Sequence, residues 1–181
     1  MPRHRFARSL AFGAVAALAI VPFLLTFGPA LGSAGALALS SVLSTSGYLA
    51  VVAPGHARGL RVGFLALVMG MVLFWSASPS TTVLGSAAIL AVMRSGFLYR
   101  SRPGRALLVE ASLLFAGLAL AKALAGSSVS SVALAVWGFF LVESLFFLVG
   151  GTAARPEEEF AEDPFDRARR EAVRLMEEAP M

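Results

Sequence analysis

Six apolar runs, each near the length of a bilayer crossing, leave this 181-residue chain little choice of fold. A helix rises 1.5 Å per residue, so about 20 apolar residues cover the roughly 30 Å of membrane hydrocarbon. The segments about 9–30, 34–53, 60–77, 81–99, 105–125 and 129–150 meet that length. Gly, Pro and Ser punctuate them: Gly28-Pro29 with Gly32, Pro54-Gly55, Pro79, Pro103-Gly104, and Gly126 to Ser131. The pattern predicts an all-α polytopic membrane protein, with six transmembrane helices in three hairpins over residues 1–151. The composition agrees. At 57% hydrophobic, 14% charged and mean hydropathy +0.78, the chain lies outside the soluble globular range.

The charges orient the spans. The connections around 28–35, 76–82 and 125–131 carry none. The other connections are basic: Arg3, Arg5 and Arg8 at the N-terminus, Arg58 and Arg61 in the second loop, Arg100, Arg102 and Arg105 in the fourth. Six spans put all these arginines on one side, whereas five or seven would divide them. The positive-inside rule then places the basic loops and both termini in the cytoplasm, and the protein in the inner membrane. A cleaved signal peptide ending near Ala34-Gly35-Ala36 is the competing interpretation. Its apolar run is too long for a signal sequence, and the next segment is itself a span. The pI of about 10.6 does not suggest nucleic acid, because the arginines form short clusters between apolar segments rather than a continuous groove.

Against this background two acidic residues stand out. Nine of the eleven lie in the last 25 positions; the other two, Glu110 and Glu143, fall inside apolar runs, as does Arg94. Charges within a span are costly and mark candidate functional sites. Stopping the fourth span before Arg94 would leave only Val83–Met93, about 16 Å of helix and half the hydrocarbon thickness. The helix must therefore run on through Tyr99 and carry Arg94 into the membrane. Arg94 lies eight residues before Arg102 in the tight loop and Glu110 eight after it. Equal distances from a hairpin turn mean equal depth, which predicts an Arg94–Glu110 ion pair. Glu143 has Phe139, Phe140, Phe146 and Phe147 one turn away. A carboxyl ringed by phenyl groups is poorly solvated, so Glu143 is expected either as a neutral acid or as a second acceptor for Arg94. Two plainer readings stand beside these: Arg94 snorkels to the headgroups, or the pair only fixes helix register.

Other features carry less. Lys122 sits where it can snorkel to the outer headgroups. Ser112, Ala116, Ala119 and Ala123 form a small-residue stripe suited to close helix packing. Pro22 is a candidate kink, and Trp75 and Tyr99 are candidate interface anchors. There is no cysteine, and the two histidines, His4 and His56, fall in basic segments outside the spans. Thiolate chemistry, axial haem ligation by His, a Ser/His dyad and an HExxH zinc site are thereby excluded. No span contains an aspartate, so a paired-Asp protease is excluded too. An enzyme is not expected, nor a cofactor or metal.

Residues 152–181 form an acidic tail. Asp163 offers an N-cap and Pro164 suits the first helical position, which predicts a helix over 164–179. Phe165, Ala168, Ala172, Leu175 and Met176 line one face and form the expected docking surface. Its docks are the chain's own basic loops (Arg58, Arg61, Arg100, Arg102, Arg105) or a partner protein. The expected function is a non-catalytic subunit or scaffold of a membrane assembly, with the bilayer and a membrane-protein partner or second copy as its contacts. The alternative is a small proton-coupled carrier using Arg94, Glu110 and Glu143.

Overall fold

A computed structural model of the chain describes residues 2–53, 55–98, 103–126 and 128–148. Every regular element among them is helical: α1 (Pro2–Val52), α2 (His56–Ser76), α3 (Pro79–Val92), a π-helical segment (Met93–Leu98), α4 (Pro103–Leu124), α5 (Val129–Ser144) and a short 3₁₀ turn (Leu145–Phe147). The tail expected over 152–181, with its docking face, lies outside the described residues, as do Arg100 and Arg102. Four helical stretches are long and apolar enough to cross a membrane: His4–Val52, His56–Ser76, Leu107–Leu124 and Val129–Phe147. Their apolar side chains face outward. Leu18, Phe64, Val72, Leu108 and Phe115 are all more than 60% exposed, as a lipid-embedded surface requires.

The longest stretch is broken at a single residue. Gly32 has φ 74° and ψ 157°, a conformation open to glycine and strained for any other residue. The two limbs of α1 on either side of it fold back on each other. The Ser9 and Tyr48 hydroxyls meet at 2.8 Å, whereas a straight helix would hold them about 58 Å apart. The sequence suggests a loop over 28–35; instead helical backbone runs up to Gly32 on both sides, and Pro29 stays inside the helix. Pro22, the candidate kink, is likewise absorbed in helical backbone.

Serine caps and glycine set the other boundaries. Gly55, at φ 97°, precedes α2. The Ser78 hydroxyl accepts from the Thr81 N–H, with Pro79 at the first helical position of α3. The Ser128 hydroxyl does the same for the Ser131 N–H at the start of α5. The fourth apolar run does continue past Arg94, but as a π turn rather than as α-helix. The wider turn coincides with three consecutive buried residues, Met93, Arg94 and Ser95, more than one face of an α-helix could bury.

Close packing of α2 on α1 rests on small residues. A Cβ on Gly59 would lie 2.3 Å from the Ala50 carbonyl oxygen, one on Gly63 2.9 Å from the Ser46 carbonyl, and one on Gly70 2.6 Å from Val42. With buried Ala66 they form a face of spacing 4, 3, 4. Such faces let helices approach in lipid, where packing replaces the hydrophobic effect. The stripe picked out in the sequence has the same spacing but a different position. Ser112, Ala116, Ala119 and Ala123 on α4 are all exposed, and α4 packs on α5 through Gly117 against Phe139 instead.

At one end of the bundle Tyr48, Leu49, Leu90, Met93, Phe146 and Phe147 form a sealed apolar core. Phe12, Tyr48 and Phe140 meet pairwise there at 5.3–5.6 Å between ring centroids. We expect Gly63→Ala to lower stability by about 1–3 kcal/mol, because backbone must move to admit the methyl group. Gly28→Ala meets nothing within 4 Å and, in helical backbone, should leave stability unchanged or raise it by up to about 1 kcal/mol. Reversible unfolding of both variants in detergent checks the contrast.

Candidate functional site

Arg94 is the largest fully buried side chain described, and its guanidinium organises that core. Its Nε donates to both Glu110 carboxylate oxygens, at 3.0 and 2.9 Å. Nη2 donates to Glu110 Oε1 at 2.6 Å and also to Glu143 Oε2. Nη1 donates to the Tyr48 hydroxyl at 3.0 Å and to the Glu143 backbone carbonyl at 3.1 Å. A guanidinium has five N–H donors in a fixed planar fork. All five are used here, and the Phe146 ring covers the cation with its centroid 4.3 Å from Cζ. An arginine over an aromatic face gains further electrostatic attraction. Arg94, Glu110 and Glu143 each have 0% exposure, so the group is closed to solvent within the chain.

Each partner is delivered by a different element. Glu110 projects from the second turn of α4, at the mirror position of Arg94 across the tight loop. Glu143 is the penultimate residue of α5, just before the helix tightens into the 3₁₀ turn. The last carbonyls of a helix have no intrahelical partner, and one of these, Glu143's own, accepts from Nη1. Tyr48 comes from the second limb of α1, and Ser9 from the first limb bonds its hydroxyl. One side chain on the π segment thus joins both limbs of α1, α4 and α5.

The sequence reading assigns Tyr48 and Ser9 no part in this site. The available signal was chemical. A phenol in the middle of an apolar run needs a hydrogen-bond partner, and Ser9 is the polar residue that the reversal at Gly32 brings opposite it. One polar atom of the cluster is left over: Glu143 Oε1 has no hydrogen-bond partner among the described residues.

Of the remaining candidates, Arg58, Arg61 and Lys122 lie apart from this cluster. Arg58 and Arg61 are exposed near the start of α2, where Arg61 Nε donates to the Ala57 carbonyl at 3.2 Å. Arg105 falls in the first turn of α4. Lys122 is exposed in the last turn of that helix. His4 and His56 are exposed as well. Among the described residues no three His, Asp or Glu side chains converge as a metal ion would require.

The arrangement is suited to holding helices together. Desolvating a charge costs several kcal/mol, and only a geometrically complete set of partners offsets it. Removing one member leaves another buried and unpaired. The chain matches no protein-family model, no curated protein and no solved structure. Arg94→Ala should therefore destabilise by about 3–5 kcal/mol, and Glu110→Ala by less, because Glu143 still faces the guanidinium. The Arg94→Ala/Glu110→Ala double variant should be milder than the sum of the singles. A double-mutant cycle on unfolding free energies measures this coupling, and strict additivity would mean there is none.

Proposed function

We propose that this protein is a non-catalytic subunit or scaffold of a larger membrane assembly. The observation that carries this reading is the uncovered small-residue face of α4. The 4, 3, 4 spacing that seats α2 against α1 recurs there at Ser112, Ala116, Ala119 and Ala123, all four exposed among the described residues. Exposed small residues at that spacing suit a helix of a partner or of a second copy. The closed charge cluster supports the same reading. A carrier built on Arg94, Glu110 and Glu143 would need water to reach them, and all three are buried beside Tyr48, Phe146 and Phe147.

The proposed topology has six spans: the two limbs of α1, then α2, α3 with its π segment, α4 and α5. Three hairpins of this kind place Arg58 and Arg61 on the cytoplasmic face of the inner membrane, with both termini. The uncharged turns at Ser78 and Ser128 then lie outside. The absence of cysteine makes this testable with single introduced thiols. In intact cells a membrane-impermeant maleimide should label Ser80→Cys and spare Arg58→Cys; the reverse pattern would overturn the orientation.

The assembly itself is tested in mild detergent. The protein should purify with a stable partner or as a homo-oligomer. Ala116→Leu should release it as a folded monomer, since the added bulk blocks close approach of a facing helix. A wild-type protein that is already a clean monomer would sink the proposal.

A further inference from the structure

A second feature lies on the other side of Phe140 from the charge cluster. A part-open cavity of about 350 Å³ separates α3 from α4, with the second limb of α1 and α5 as its other walls. Pockets that take small molecules start near about 300 Å³. The lining is mostly apolar, but a row of hydroxyls from α1 enters it, and Lys122 stands on its rim.

Two of those hydroxyls make no hydrogen bond within the described residues. Ser40 and Ser41 donate to the Leu37 and Ala38 carbonyls, and Ser86 to the Thr82 carbonyl. The Ser44 and Thr45 hydroxyls have no partner among the described residues, although Thr45 is only 6% exposed. The Lys122 ammonium has no carboxylate partner among them either. A hydroxyl that lines an apolar cavity gains a hydrogen bond only from what occupies it, and a cation at the edge of an apolar wall favours an anion beside it.

The spacing between these groups can be read through Arg94. The side-chain ends of Tyr48 and Glu110 lie at about one level, since both bond its guanidinium. Ser44 lies four residues from Tyr48 and Lys122 twelve from Glu110, toward the same end. At 1.5 Å per residue the hydroxyls are therefore about 12 Å deeper than the Lys122 backbone. The geometry points to a binding site for a single-chain carboxylate amphiphile. Its head group sits on Lys122, its apolar chain fills the cavity, and an oxygen at its far end meets Ser44 and Thr45.

The site can be tested with 12-hydroxydodecanoate and dodecanoate. The full-length protein would be held in phosphatidylcholine nanodiscs, and binding followed by titration calorimetry. The expected result is saturable binding of one 12-hydroxydodecanoate per protein, at least tenfold tighter than dodecanoate. Lys122→Gln should weaken both ligands at least tenfold, and Lys122→Arg should restore them. The pair Ser44→Ala/Thr45→Val should erase the preference for the hydroxylated chain. These substitutions avoid the charge cluster, and unchanged thermal unfolding establishes that each variant is folded. Non-saturable partitioning that is the same in wild type and Lys122→Gln would overturn the proposal. So would equal affinity for uncharged dodecanol. Loss of dodecanoate binding on exchange of the nanodisc lipid for phosphatidylglycerol would assign the site to a phospholipid instead, and would also overturn it.

Discussion

The rest of the bundle depends on one guanidinium having every donor used. Membrane helices gain little from the hydrophobic effect once inserted, because lipid is as apolar as their side chains. What fixes their relative positions must be packing or polar contact. Arg94 supplies polar contact from a single point to both limbs of α1, to α4 and to α5. α2 makes no part of that cluster, and it is the helix seated by glycine instead. Two kinds of adhesion therefore divide the structure: an ionic centre that gathers four helical segments around the one that carries Arg94, and a steric seam that adds α2.

The cluster and the cavity occupy opposite halves of the same four-walled space. Phe140 contributes to both, lining the cavity and stacking near Tyr48. It forms the floor of one and part of the lid of the other. Packing is tight where charge must be sealed and loose where α3 and α4 part company beyond the Arg94–Glu110 contact.

Much of this was legible in the sequence, for identifiable reasons. That the chain builds long apolar helices follows from hydropathy, and the Arg94–Glu110 contact from equal distance to a short turn. Caps at Ser78 and Ser128 follow from local chemistry. What was not legible depends on rotation about helix axes. The Ser112–Ala123 stripe reads as a packing face, yet nothing in its spacing says which way α4 is turned, and it is turned outward. The Gly59–Gly70 face has the same spacing, and there the face is turned inward. Tyr48 joins the charges only because α1 reverses at Gly32, and the chain's glycines and prolines near there do not single out that residue. The π turn at Arg94 leaves no local signature, since it answers to the partners that Arg94 must meet.

The Arg94 cluster also imposes an order on biogenesis. The guanidinium is synthesised 16 residues before Glu110 and 49 before Glu143. At roughly 5–20 residues per second, the first carboxylate follows within about a few seconds, and the second within about ten. During that interval the segment formed by α3 and its π turn carries an unpaired charge, which disfavours insertion of an apolar helix by about 2.5–3.5 kcal/mol on translocon scales. The short loop to Glu110 keeps this exposure brief and favours pairing of the Arg94 segment with α4 as both emerge. A chain truncated between positions 94 and 110 has no acid to offer its arginine, and membrane quality control can read that stranded charge as the mark of an unfinished protein.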